Sequence, residues 1–173
     1  MVHLVEYVDE LIKNEAIKLN NNVDLQLTYH DSCSLARLSE PWVPWEGERG
    51  LWGVVSPTLE RRRGTNGVYQ QPRDILSAIP GVKLVEPIRK RENTFCCGAG
   101  RGTKEAFPDF ALWSAQQKLT EVKEVGAEAV ISACPWCKNN FAQAADMNGG
   151  EVKALDISEI ILESLCGGGK GVK

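Results

Sequence analysis

Apolar residues recur along this chain with two alternating periods. Over residues 2–19, Leu4, Val5, Val8, Leu11, Ile12, Ala16 and Ile17 stand three or four apart, which predicts an amphipathic helix. Asn20-Asn21-Asn22 marks a turn. Val23, Leu25, Leu27 and Tyr29 then alternate as a strand does, stopping at His30-Asp31-Ser32-Cys33. Pro72 opens a short helix halted by Gly81, and residues 82–85 read as a second strand. The strongest helical pattern runs over residues 108–125 and ends at Gly126. Residues 129–132 form a third strand that enters Cys134-Pro135-Trp136-Cys137 and another helix, and residues 152–155 form a fourth. Asp156-Ile157-Ser158-Glu159 has capping-box spacing and opens a last helix ending near Leu165.

Alternation of strand and helix predicts an α/β fold: a single Rossmann-like domain with a four-stranded, mostly parallel sheet and helices on its faces. The domain is expected over residues 1–166, with 167–173 as a flexible tail. From about residue 40 to 66 the periodicity lapses into a long insertion rich in Trp, Pro and Gly. Loops of that length are functional or disordered, and Trp42, Trp45 and Trp52 argue for order, with packing onto the domain as the expectation. The run Arg61-Arg62-Arg63 reads as a solvated face.

The net charge of -3 offers no global basic field, so nucleic acid is not expected as a partner. No apolar run approaches the ~20 residues of a membrane span. The amphipathic, acidic N-terminus is not a signal peptide, so a cytoplasmic location is expected. Thiols stay reduced there, and clustered cysteines read as metal-binding or catalytic.

Five cysteines fall in three clusters: Cys33, the adjacent pair Cys96-Cys97, and Cys134 with Cys137. Each is expected past the end of a strand or, for the pair, past a short extended stretch through Phe95. In a parallel sheet such ends share one crevice, where ligands bind. Thiolates select iron–sulfur clusters, zinc or copper(I). The Cys-x-x-Cys spacing at a helix start suits chelation of one centre. Neighbouring cysteines grip a single ion poorly, whereas a cluster with several irons can use both. Gly98, Gly100 and Gly102 allow close backbone approach and N–H groups turned toward sulfur. A thioredoxin-like dithiol at Cys134 and Cys137 leaves three cysteines unexplained. A structural zinc site closed by four of the five sulfurs is the alternative.

Tyr29-His30-Asp31-Ser32-Cys33, Cys96-Cys97-Gly98-Ala99-Gly100 and Ala133-Cys134-Pro135-Trp136-Cys137 resemble the three signatures of the CCG, or cysteine-rich, domain of the heterodisulfide reductase catalytic subunit and related Fe–S oxidoreductases. The resemblance covers nearly the whole chain. It implies that Cys33, Cys96, Cys97, Cys134 and Cys137 bind a noncubane [4Fe-4S] cluster that, in some members, reduces disulfides by direct contact. Three features depart from the family pattern. Ser32 and Ser34 flank the first cysteine where Pro and His are usual, Arg101 replaces a glycine, and the insertion lengthens the gap from Cys33 to Cys96.

Around the cysteines, His30 is a candidate proton donor or hydrogen-bonding neighbour of the centre, and Asp31 a turn cap. Arg101 is a candidate partner for an anionic substrate. His3 is expected on the surface of the first helix and Cys166 as a buried or incidental thiol. The sequence lacks the Cys-x-x-Cys-x-x-Cys-x-x-x-Cys-Pro run of a ferredoxin-type relay. Electrons for a redox role would come from a ferredoxin-type or flavin-containing donor domain or subunit, with a thiol or disulfide as substrate.

Overall fold

The computed structural model describes residues 2–59 and 62–166. Among these residues six α-helices and six strands follow in chain order. Helix α1 spans Leu4–Lys13 and strand β1 spans Leu25–His30. Short strands β2 (Glu48–Arg49) and β3 (Val55–Ser56) make a small antiparallel hairpin in the insertion. Helix α2 (Gln70–Ala78) leads into β4 (Val82–Leu84), and α3 (Thr103–Ala106) precedes α4 (Pro108–Glu124). Strand β5 (Ala129–Ser132), helix α5 (Pro135–Met147), strand β6 (Lys153–Asp156) and helix α6 (Ile157–Cys166) complete the order.

The main sheet has the order β4-β1-β5-β6, and every pair in it is parallel. Its side chains alternate between two apolar layers. Leu27, Tyr29, Ala129 and Ile131 face a layer that includes Val5 and Val8 of α1, Ile75 and Leu76 of α2, and Ile157 and Ile160 of α6. Val130 faces the other layer, built from Ala115, Leu119 and Val122 of α4 and Phe141, Ala144 and Ala145 of α5. Cys97 and Cys137 belong to this second layer. A two-sided sheet covered by helices is the arrangement expected of parallel strands, whose crossovers place helices on both faces.

Sequence spacing explains most of these elements. In α4 the buried positions Ala111, Ser114, Ala115, Lys118, Leu119 and Val122 recur at three- and four-residue steps. Pro108 stands in its first turn, where the missing N–H is no loss. Gly126 ends it with φ +70, and the Ala127 N–H bonds the Val122 carbonyl. At α6, Glu159 accepts the Asp156 N–H at 2.7 Å and Asp156 accepts the Ser158 N–H at 2.9 Å.

Some expectations change. Helix α1 stops at Lys13 rather than near residue 19, because Glu15 turns left-handed at φ 56 and the Ala16 N–H returns to Leu11. Ile17 still packs on the core, but from irregular chain, so its spacing imitated a helix. His3 is exposed as expected and in addition caps α1: its Nδ1 accepts the Val5 N–H, and its own N–H goes to Glu6. Of the two readings of Cys166, buried or incidental, its exposure removes only the first. Trp52 and Trp42 are 98% and 69% exposed, so they do not pack onto the domain as expected. Trp45 does pack, inside the insertion, donating from Nε1 to the Pro57 carbonyl. Arg61 and the tail 167–173 lie outside the described residues. No helix among the described residues is long and apolar enough to cross a membrane.

Candidate metal centre

Three cysteine-bearing segments meet at the carboxyl edge of the sheet, on its α4–α5 side. His30 and Ser132 are register partners at the ends of β1 and β5. The segments that leave them therefore carry Cys33 and Cys134 past the same edge. The Cys96-Cys97 segment arrives differently. The chain leaves the sheet after the Val85 N–H bonds Leu27, and a single turn over Arg91–Asn93 precedes an irregular loop; there is no strand at Phe95. Side chains of the two covering helices hold this loop. Ser114 Oγ donates to the Cys96 carbonyl at 2.7 Å. Asn140 Nδ2 donates to the carbonyls of Cys97 (2.8 Å) and Ala111 (2.9 Å), so one buried amide ties the loop to both helices.

Gly98 makes that approach feasible. Its φ is +80, and an added Cβ would stand 2.8 Å from Ser114 Cβ and 2.9 Å from the Ala111 carbonyl oxygen. Its N–H is directed at Cys96 Sγ, 3.4 Å away. Around Gly100 and Gly102 there is open space, so close packing is not their role.

The six cysteines are free thiols. Cys137 Sγ donates to Cys97 Sγ across 3.0 Å in a buried pair. His30 is buried beside them, edge-on to Phe141 with ring centroids 4.8 Å apart. One potential ligand atom from each of His30, Cys97 and Cys137 lies within 4.8 Å of the others. Cys33 and Cys134 are half-buried, and Cys96 is exposed.

Their acidities follow from this crowding. Hydrogen bonds from Cys137, then Cys96, pull the Cys97 thiol far down, with a smaller contribution from His30. Cys137 is pushed up, first by its hydrogen bond with Cys134 and then by the one with Cys97. Cys96 moves up as well, through its hydrogen bond with Cys97 and then through burial. Cys134 precedes Pro135 at the start of α5, and its thiol is lowered to about 6. The hydrogen bond with Cys137 is the largest cause, followed, against burial, by the N–H groups of Cys137 and Trp136. A helix start favours a thiolate for that reason.

Asp31 is not a simple turn cap. Its buried carboxylate pairs with the Arg73 guanidinium through two bonds of 2.7 and 2.9 Å, and accepts the Arg91 N–H at 2.7 Å. Arg101 stands apart from the buried thiols. It is exposed, with φ 57 in the region glycine prefers, and it lines a shallow groove of about 600 Å³ with Thr103, Phe107 and Phe110. Sequence reasoning missed Ser114, Asn140 and Arg73. A buried asparagine one turn beyond Cys137, and a serine within the apolar stripe of α4, were the available signals.

A family profile described as "Cysteine-rich domain" matches residues 58–142. Over that segment the chain is similar to the cysteine-rich domain family. The match includes Cys96, Cys97, Cys134 and Cys137 and begins beyond Cys33. Alignments with relatives reach further. One relative is a subunit of the dihydromethanophenazine:CoB--CoM heterodisulfide reductase of Methanosarcina acetivorans; the chain is 33% identical to it, with 95% of the chain aligned to 34% of that protein. The chain is 29% identical, again over 95% of its length, to 20% of the probable iron-sulfur-binding oxidoreductase FadF of Bacillus subtilis. Over 80% of its length it is 29% identical to 22% of a subunit of the fumarate reductase (CoM/CoB) of Methanothermobacter marburgensis. The cysteine-rich chain thus spans about a third or less of the length of these relatives.

Proposed function

We propose that this chain is an iron–sulfur redox module of a larger oxidoreductase, with Cys33, Cys96, Cys97, Cys134 and Cys137 holding a noncubane [4Fe-4S] cluster. The observation that carries this reading is the buried 3.0 Å approach of Cys97 to Cys137, two thiols from distant segments, each with a second cysteine at its flank. The donor set fits the group: five soft sulfurs suit iron and sulfide. The hydroxyls of Ser32 and Thr94, just before Cys33 and Cys96, are buried with no partner among the described residues. Unpaired donors at such a site are what cluster sulfurs would engage. The relatives named as heterodisulfide reductase and iron-sulfur-binding oxidoreductase support the same assignment.

When bound, such a cluster supplies one-electron chemistry at sulfur. The chain's own residues do the rest. Ser114, Asn140 and Gly98 fix the Cys96-Cys97 loop, Phe141 and the α4–α5 layer exclude water from the inner thiols, and exposed Cys96 leaves an edge that a disulfide can reach. Electrons would be delivered by a ferredoxin-type or flavin-containing partner. Cys97→Ser, purified anaerobically, is expected to lose or rearrange the cluster. An unchanged iron content and EPR spectrum would remove Cys97 from the ligand set. Adding a disulfide to the oxidised protein is expected to change its EPR signal; silence with several disulfides would leave electron relay without substrate contact.

A second reading is favoured by one specific observation. His30, Cys97 and Cys137 offer a nitrogen and two sulfurs within 4.8 Å, which suits a structural zinc ion with Cys134 as fourth ligand. Stoichiometric zinc without sulfide distinguishes it.

A further inference from the structure

Arg73 belongs to none of the cysteine segments, yet its guanidinium lies at the junction of two of them. It stands on α2 and is 5% exposed. Beyond the two bonds to Asp31, its Nε donates to Glu86 Oε1 at 2.6 Å and Nη2 to Glu86 Oε2 at 3.2 Å. Nη1 also reaches the Tyr69 carbonyl at 2.7 Å, and the group lies 5.4 Å from the centre of the Tyr29 ring. Burial works against this charge, but the hydrogen bonds it donates to Asp31 and Glu86 outweigh that and raise its pKa further.

Each carboxylate sits next to a cysteine segment. Asp31 is two residues before Cys33, and Glu86 opens the stretch that leads through Arg91 to Cys96. Asp31 also takes the N–H of Arg91, a residue held at φ 54, in the left-handed region that costs a non-glycine residue energy. A further tie runs in parallel: Arg37, in the turns after Cys33, donates to the Glu92 carbonyl at 3.4 Å. A buried ion pair adds little net stability, because desolvation offsets its attraction. A planar fork that satisfies two carboxylates at once does fix geometry.

We propose that Arg73 is a positioning residue for the metal centre: through Asp31 and Glu86 it sets the spacing between the Cys33 and Cys96 segments, while Cys134 and Cys137 are placed independently by β5 and α5. This rests on the reading of Cys33 and Cys96 as ligands. Arg73→Lys keeps the charge but cannot span both carboxylates, and Arg73→Met removes both the charge and the fork. In anaerobically reconstituted protein each is expected to change the EPR line shape and the midpoint potential of the cluster at unchanged circular dichroism. In the metal-free chain, Cys33 and Cys96 are expected to react with iodoacetamide about tenfold faster in both variants, through local opening, with Cys134 and Cys137 unchanged.

A folded Arg73→Lys protein with wild-type EPR, potential and alkylation rates would overturn the proposal, as would equal acceleration at all four thiols. If Arg73→Met does not fold, Arg73→Lys and Glu86→Gln decide it by the same readouts. Failure of the wild type to take up iron and sulfide would sink the cluster reading instead, and the alkylation comparison would still decide the role of Arg73.

Discussion

The loop around Cys96-Cys97 and the tryptophan insertion are both irregular, yet they meet their surroundings in opposite ways. The cysteine loop has its backbone carbonyls bonded by Ser114 and Asn140 and its glycine pressed against α4. The hairpin of β2 and β3 turns its apolar side chains outward: Leu51 and Val54 are exposed, and Trp52 is almost wholly so. Trp52 also has φ 64, in a tight turn closed by local bonds from Gly50 to Val54, from Gly53 to Gly50 and from Val54 to Leu51. Lack of regular structure therefore does not mean lack of definition. What defines a loop is where its polar groups find partners: Ser114 and Asn140 supply them to the cysteine loop, and Glu40 supplies them to the base of the insertion but not to its tip.

This contrast can be broken most forcefully at Gly98. Gly98→Ala combines a left-handed alanine with overpacking against Ser114 and is expected to cost about 3 kcal/mol, read as a lower urea midpoint. A wild-type midpoint would mean that the loop yields easily. Asn140→Leu keeps the branching at Cγ but leaves the Cys97 and Ala111 carbonyls without their donor. A loss of about 2 kcal/mol is expected, with faster exchange at the loop amides.

Next comes the pH dependence of the metal-free thiols. Because the Cys134 thiol is lowered to about 6, its reactive thiolate dominates above that pH and disappears as pH falls through it. Iodoacetamide labelling of Cys134, followed by mass spectrometry, should show a midpoint near pH 6. A midpoint at the ordinary ~8.5 would discard the Cys137 hydrogen bond and, with it, the N–H groups of the helix start as the cause. The smallest effect is expected at Trp52→Ser, within about 0.5 kcal/mol of wild type, because so little of the side chain is covered. A large loss there would show that the insertion is packed after all.

Legibility from sequence divides along the same line. Strand β5, helix α4 and the capping box of α6 follow from local periodicity and caps, and they appear where the pattern puts them. The convergence of Cys97 on Cys137 was foreseeable from strand ends in a parallel sheet, although the pair reaches the crevice by a side-chain-anchored loop rather than a strand. The α1 boundary failed because Ile17 packs on the core from irregular chain with helix-like spacing. Arg73 was invisible because its partners Asp31 and Glu86 are distant along the chain and no local pattern marks a buried charge. Trp42 and Trp52 misled because large apolar residues are normally buried.

Five thiols around a multi-iron cluster and four around a single ion differ in what the protein must contain. Iron, acid-labile sulfide and zinc measured on protein purified or reconstituted without oxygen separate the two most directly. About four irons and four sulfides per chain are predicted. One zinc per chain with no sulfide would contradict the account.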